Sequence, residues 1–225
     1  MARNEPDKIY QFRAVLRAIS PLIWRRLLVR SESTLADLHE ILQVAFGWED
    51  VHLNRFEIRG RGYEVYRDGG GMTGIDAEDV RLCDLNVRRL ERFDYEYDFG
   101  DGWIHDIRLE KVLPADPKMI YPTCVAGKCA APPEDCGGPY VFMSNRARYC
   151  DIGSGESRED LDDWGGDTND LDDEEFEILG RYHPDQFDRR AINRALAQLA
   201  AGSHEGDRRG VVHYIDYGKF AWGRF

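Results

Sequence analysis

Apolar residues in the first quarter of the chain change from the spacing of a strand to that of a helix. Residues 9–19 and 24–29 have the pattern of two extended strands. Residues 35–46 place apolar side chains three and four positions apart, and a glycine follows directly. Ser33 or Thr34 can cap this segment. The pattern predicts a hairpin or meander followed by an amphipathic helix.

Further elements follow along the rest of the chain. They are strands at 52–58, 63–66 and 211–217, a hairpin at 93–109, and helices starting at Gly138-Pro139 and covering 187–199. Strands that follow one another closely favour antiparallel pairing. The sequence therefore predicts an α+β fold, with an antiparallel-rich sheet packed against several helices in a single domain. Its expected bounds are 9–202, with residues 1–8 disordered and residues 203–225 forming a strand and tail that complete the domain.

Glycines near residue 101 predict the register of the hairpin at 93–109. A three-residue loop, Gly100 to Gly102 with Gly102 left-handed, would pair Tyr97 with His105. The aromatic residues and His105 would then share one face of the hairpin. On the other face Glu96 would lie opposite Asp106, and like charges opposite each other are destabilising unless a cation or solvent relieves them.

Charge narrows the classes of partner. The 225 residues include 30 Lys and Arg against 42 Asp and Glu, a formal net charge of −12. A field of this sign repels phosphate backbones, so a nucleic acid partner is not expected. The expected partner is a protein or a small molecule. Short basic runs at 24–26, 88–92 and 189–190 are interpreted as solvated or salt-bridged. The acidic stretch 151–177 is interpreted as a solvated linker or helix start.

The lengths of the apolar runs and the number of cysteines indicate the cellular compartment. No run approaches the roughly 20 apolar residues of a membrane span, and the first residues lack the apolar core of a secretory signal. Five cysteines, an odd number, argue against a disulfide scaffold. The expectation is a cytoplasmic protein, not associated with membranes, whose thiols are reduced, bound to metal or buried.

A first candidate site combines thiols with a histidine. Cys124, Cys129 and Cys136 lie in a segment, 114–139, that is rich in Pro, Gly and Cys and is predicted to form a long irregular loop. With His105 they would provide the closed set of Cys and His ligands that zinc favours, and the ion would pin the loop. The alternative is that the cysteines are small buried residues and that His105 is a core histidine.

A second candidate site is built from carboxylates. Asp98, Asp101, Glu134 and Asp135 could provide oxygen ligands for a hard divalent ion. His52 or His105 would then act as acid or base in a metal-dependent enzyme. The alternative is turn and cap chemistry, in which these side chains accept hydrogen bonds from backbone amides.

Two further interpretations concern residues outside these sets. His39 lies beside Glu40 on the flank of the first predicted helix, so it is interpreted as a surface histidine. The chain contains no G-x-S-x-G, Walker or H-E-x-x-H motif, and no Ser or Tyr lies in an evident arginine cluster of the kind recombination needs. Common hydrolase, nucleotide and recombinase chemistries therefore lack their usual signatures.

Five motifs resemble those of the plasmid pRiA4b ORF-3-like family. They are P-L-I-W-R-R-L-L-V at 21–29, the block T-L-A-D-L-H-E-I-L-Q-V-A-F-G-W-E-D-V-H-L at 34–53, Y-D-F-G-D-G-W-I-H-D-I at 97–107, P-P-E-D-C-G-G at 132–138 and Y-H-P-D-Q-F-D-R-R-A-I-N-R-A-L at 182–196. The resemblance implies an α+β plasmid-type protein, a binding or accessory module, in a family with some members labelled transposon resolvases.

Overall fold

A computed structural model describes residues 8–66, 74–153 and 182–202. Eight strands and three α-helices follow one another in these parts of the chain. The strands are β1 (Lys8–Leu16), β2 (Trp24–Arg30), β3 (Asn54–Ile58), β4 (Arg61–Glu64), β5 (Ile75–Asp76), β6 (Arg92–Tyr97), β7 (Trp103–Pro114) and β8 (Thr123–Lys128). The helices are α1 (Leu35–Phe46), α2 (Gly138–Gly153) and α3 (Arg189–Gly202), with a short 3-10 turn at Ala77–Asp79.

All eight strands belong to one sheet, in the order β5-β4-β3-β6-β7-β1-β2-β8. Every pairing is antiparallel except that of β4 with β5. The predicted pairing of the first two strands is confirmed, because β1 and β2 form an antiparallel ladder. The α+β class, with an antiparallel-rich sheet in a single domain, is also confirmed.

Helix α1 begins and ends as its sequence predicts. The Thr34 hydroxyl accepts a hydrogen bond from Asp37 N, and the Asp37 carboxylate accepts one from Thr34 N, which forms a capping box. Gly47 ends the helix in the left-handed conformation, with φ of 76°. The helix is buried along most of its surface because it contacts both the sheet and α3.

The hairpin of β6 and β7 differs from its predicted register by two residues. Tyr97 pairs with Trp103 and Tyr95 with His105, which leaves residues 98–102 as a five-residue loop. The loop starts earlier because the Asp98 side chain accepts hydrogen bonds from the backbone of Gly100 and Asp101, and this turn ends strand pairing at residue 97. A shift of two residues leaves each side chain on the same face, so the predicted aromatic face with His105 is confirmed.

The predicted opposition of two carboxylates also occurs, between a different pair. Asp94, and not Glu96, lies opposite Asp106. Arg17 donates two hydrogen bonds to Asp94, and Arg92 donates one to Asp106 at 2.8 Å. The two arginines relieve the repulsion that like charges would otherwise cause.

The segment 114–139 is more regular than predicted. Its residues Thr123–Lys128 form β8, an edge strand paired with β2, so the prediction of one long irregular loop is wrong. The predicted helix starts at Gly138 and near residue 187 correspond to α2 and α3. Lys8 belongs to β1, so the expectation of a disordered start is wrong for this residue. The acidic stretch beyond residue 153 and the final strand at 211–217 lie outside the described residues.

Among the residues that the structure describes, none of the helices combines the length and the apolar composition required to cross a bilayer.

Candidate metal centre

Two loops that are distant in sequence meet at one end of the sheet. One is the β6–β7 loop, residues 98–102, and the other is the P-P-E-D-C-G-G loop, residues 132–138. Gly137 N donates a hydrogen bond of 3.1 Å to Asp101 Oδ2. Next to it Gly138, with φ of 78°, lies so close to the carbonyl oxygen of Asp101 that a Cβ atom would overlap with it. The sequence therefore uses glycine where the two backbones touch.

Asp98 has one carboxylate oxygen engaged and the other directed towards His52. Its Oδ1 accepts hydrogen bonds from Gly100 N at 2.9 Å and Asp101 N at 3.3 Å. Its Oδ2 lies 3.7 Å from His52 Nε2. Asp98 is buried and has φ of 54°, in the left-handed region that Asp and Asn adopt more readily than most residues. The turn thus fixes the direction of the carboxylate.

Asp135 approaches the same imidazole from the other loop. Its Oδ1 lies 2.9 Å from His52 Nε2. Nevertheless the Nε2 atom is buried and forms no hydrogen bond, so the oxygen is within range but not in the direction that a ring N–H would require. The ligand atoms of His52, Asp98 and Asp135 all lie within 4.8 Å of one another.

The two distances from His52 Nε2 are close to those between ligands around one cation. Nitrogen and oxygen ligands at about 2.1 Å from an ion lie about 3.0 to 3.4 Å from each other in octahedral or tetrahedral geometry. The distances from His52 Nε2, 2.9 Å to one carboxylate and 3.7 Å to the other, bracket that range. Within the parts of the chain described here, this is the one cluster of three or more His, Cys, Asp or Glu side chains with metal-binding spacing.

Glu134 and Tyr97 support the loop that carries His52. The Tyr97 hydroxyl donates to Glu134 Oε1 at 3.0 Å and accepts from Val51 N at 3.1 Å. Glu49 N also donates to Glu134 Oε1, at 2.8 Å, whereas Oε2 is buried without a hydrogen bond. Burial raises the pKa of Tyr97 and the pKa of Glu134. The network therefore joins the backbone before His52 to the loop that carries Asp135.

His39 holds the same loop from inside the protein. It is 1% exposed, so its interpretation as a surface residue is wrong. Its Nδ1 lies 2.6 Å from the Tyr95 hydroxyl and its Nε2 lies 2.7 Å from Asp50 Oδ1. Gln43 also donates to the Tyr95 hydroxyl. The flank of α1 is buried because the sheet lies beneath it and the loop after Gly47 folds back over it.

Comparison with known proteins agrees with this arrangement of motifs. The sequence model for the plasmid pRiA4b ORF-3-like protein family matches residues 8–191. The chain belongs to this family. The match contains both loops of the candidate centre and the helix that supports them.

Two relatives of this family member extend the comparison. An uncharacterized protein of Sinorhizobium fredii, y4hQ, is 36% identical over 140 residues, which cover 60% of this chain and 70% of that protein. A crystal structure of a protein of unknown function from Methanosarcina mazei Go1, MM3350, has 30% identity and a TM-score of 0.60. The structural alignment covers 83% of this chain and 98% of the Methanosarcina protein. Neither name assigns an activity.

The four residues of the predicted thiol site are not brought together. His105, Cys124, Cys129 and Cys136 contain no three ligand atoms within 4.8 Å of one another. Cys124 and Cys129 are buried, and Cys136 is half-buried. Burial raises the pKa of Cys124, and it raises the pKa of Cys136 to about 12. A zinc ion bound by these residues therefore stays a prediction, one that requires both deprotonation and movement of the loop.

His105 lies in an aromatic cage instead. Its ring centroid is 4.5 Å from that of Phe46, 5.3 Å from Trp48 and 5.4 Å from Tyr95. The residue is 0% exposed, and neither ring nitrogen forms a hydrogen bond. Burial lowers its pKa to about 3, so the ring is neutral at physiological pH.

The four carboxylates of the second predicted site lie close to one another in the two loops but have different contacts. Asp98 and Asp135 adjoin His52, while Asp101 ties the loops together and Glu134 braces the backbone. Sequence reasoning missed His39, Tyr95, Gln43 and Tyr97 as supports. Tyr97 and Tyr95 fall within the aromatic motif, but nothing local in the sequence indicates which groups their hydroxyls meet.

Proposed function

We propose that this protein binds a divalent first-row transition ion through His52, Asp98 and Asp135, and that it acts as a metal-dependent binding module. The observation that carries the proposal is the approach of His52 Nε2 to two carboxylates without a hydrogen bond between them. One imidazole with two carboxylates suits ions such as Zn²⁺ or Mn²⁺ better than Mg²⁺ or Ca²⁺, which prefer oxygen alone.

Partial exposure supports a role in binding another molecule at the ion. The Asp135 side chain is 70% exposed and that of His52 is 28% exposed. Three protein ligands on an open surface leave coordination positions for water or for a ligand, in the way that catalytic zinc sites do and closed structural sites do not. The partner is accordingly a small molecule or a protein group that completes the coordination.

A metal-dependent enzyme is the second candidate, and Glu134 favours it. The charges of His52 and Asp135 act on this carboxylate, and its Oε2 atom is buried without a hydrogen bond, so it is available to a water molecule on the ion. A carboxylate there could take the proton from that water. Hydrolysis of p-nitrophenyl acetate and of p-nitrophenyl phosphate by Mn²⁺-loaded and Zn²⁺-loaded protein tests this candidate. Glu134→Gln should lower any hydrolysis rate that the wild type shows.

Five free thiols support a cytoplasmic location, which we propose as well. Reducing compartments keep cysteines in this state, whereas oxidising ones favour disulfides.

Calorimetric titration of metal-free protein with Zn²⁺ and with Mn²⁺ tests the main proposal. One ion should bind per chain. His52→Ala and Asp98→Asn should each weaken binding by at least about 100-fold, since second-shell changes alone cost 10- to 100-fold. Asn retains the acceptor oxygen and the left-handed preference that the turn needs. His183→Ala, a histidine outside the cluster, is the matched control. Equal affinity in wild type and His52→Ala would refute the site.

A further inference from the structure

Four arginines lie side by side across the middle of the sheet. Arg92 of β6 is opposite Arg108 of β7, Arg108 is opposite Arg13 of β1, and Arg13 is opposite Arg26 of β2. We call these four residues the arginine row. Directly opposed residues on neighbouring strands have Cβ atoms about 5 Å apart, and like charges at that distance repel.

The row is on the face of the sheet away from α1. Along each strand the arginines alternate with core residues, since Phe12, Leu27 and Ile107 are at most 1% exposed. Successive side chains of a strand point to opposite faces. The row therefore does not adjoin His105 or the aromatic core.

Carboxylates neutralise the two ends of the row but not its centre. Arg26 donates two hydrogen bonds to Glu110, and Arg92 donates one to Asp106. Within the described residues, neither Arg13 nor Arg108 has a carboxylate within 4.0 Å. The Arg13 guanidinium lies 5.0 Å from the centre of the Trp24 ring, and the Nε atom of Arg108 is buried without a hydrogen bond.

A cavity of about 270 Å³ opens beside this uncompensated centre. Its polar lining consists of Arg13, Arg17, Arg92, Arg108 and Asp106. Its apolar lining consists of Val15, Leu16, Ala18 and Leu22. Arg17 is paired with Asp94 and Arg92 with Asp106, so Arg13 and Arg108 provide the unpaired positive charge of the cavity, in a chain whose net charge is −12.

We infer that this cavity is a binding site for a phosphate monoester. A phosphate dianion accepts bidentate hydrogen bonds from arginine, and the guanidinium groups of two directly opposed arginines can share its oxygens. It would neutralise Arg13 and Arg108 and give the Arg108 Nε atom an acceptor. The apolar wall, which includes the half-exposed Leu22, would contact the organic part of the ester. The small volume admits one phosphate group, and the acidic chain disfavours a polyanion.

Calorimetry with inorganic phosphate and with phenyl phosphate tests the inference. EDTA in all solutions prevents either probe from binding through a metal ion, so the outcome is independent of the proposed metal centre. Arg13→Gln and Arg108→Gln should each weaken binding of both probes by about tenfold, the loss expected for one charge-assisted contact. Phenyl phosphate should bind more tightly than inorganic phosphate, and Leu22→Ser should reduce that difference.

Arg190→Gln is the matched control. Arg190 lines a second arginine-rich cavity, of about 550 Å³, between β8 and α3. Loss of phosphate affinity in this variant, with no loss in Arg108→Gln, would overturn the assignment. So would an equal response to sodium chloride at the same ionic strength, which would indicate screening of charge without a site.

Thermal unfolding separates binding from folding. Without phosphate, Arg108→Gln should have a melting temperature equal to or above that of wild type, because the change removes repulsion within the row. With saturating phosphate only the proteins that retain the row should gain stability. A large loss of stability in Arg108→Gln without phosphate would contradict the inference, since Arg108 would then be a structural residue.

Discussion

Gly138 lies against the carbonyl oxygen of Asp101, and this contact joins the two loops of the candidate metal centre. The adjacent Gly137 N donates to the Asp101 side chain, so both the backbone and the side chain of Asp101 face the second loop. The position of Asp135 relative to Asp98 depends on this contact, because each aspartate lies a few residues from it.

Gly138→Ala should therefore displace the second loop. The added Cβ overlaps with a backbone atom and also imposes left-handed strain, and each effect costs about 1–3 kcal/mol. Gly60→Ala is the control, because Gly60 has a similar φ of 73° and open space around its Cα. Urea unfolding should show a larger loss for Gly138→Ala, accompanied by weaker Zn²⁺ binding. Equal losses in the two variants would mean that the loops do not depend on this contact.

His39→Leu should loosen the loop that carries His52. The substitution keeps volume but removes the hydrogen bonds to Tyr95 and Asp50, at a cost of about 1–3 kcal/mol. Amide hydrogen exchange should accelerate at residues 49–53 more than in the strands. His183→Ala serves as the control. If the rate of amide hydrogen exchange at residues 49–53 does not change, the hydrogen bonds of His39 do not hold the loop and the residue serves only in packing.

His105 should make the protein less stable in mild acid. Its folded-state pKa of about 3 lies below the ordinary value of 6.5, so between these values the unfolded chain binds one more proton. Stability is then lost as pH falls, by about 1.4 kcal/mol per pH unit. Between pH 6.5 and pH 5, wild type should lose about 2 kcal/mol more than His105→Leu. If the two proteins lose the same free energy of unfolding between these pH values, this effect of His105 is excluded.

Cys136→Ser should leave the bound metal in place. The high pKa of the buried thiol disfavours the thiolate that a metal ligand requires, and the thiol is not part of the His52 cluster. Metal analysis after zinc reconstitution should give the same stoichiometry as wild type, and His52→Ala should give none. The opposite result, zinc lost only in Cys136→Ser, would establish the thiol site predicted from the sequence.

Local periodicity accounts for the parts of the fold that the sequence predicted. The capping residue, apolar stripe and terminal glycine of α1 are all contained within fourteen consecutive residues. The faces of the β6–β7 hairpin were also predictable, because a register error of two residues preserves the alternation. Strand β8 was missed, since Pro, Gly and Cys around it resemble a loop and its pairing with β2 is non-local.

The sequence by itself determined the class of fold, the family and the two motifs from which a site is built. Only the tertiary structure decided which side chains meet. It brought His52 to Asp98 and Asp135, buried His39, left His105 and the cysteines without the spacing of a metal site and aligned four arginines across four strands. The physical reason is range: turns, caps and alternation depend on neighbouring residues, whereas a site depends on loop docking and strand register between segments far apart in the chain.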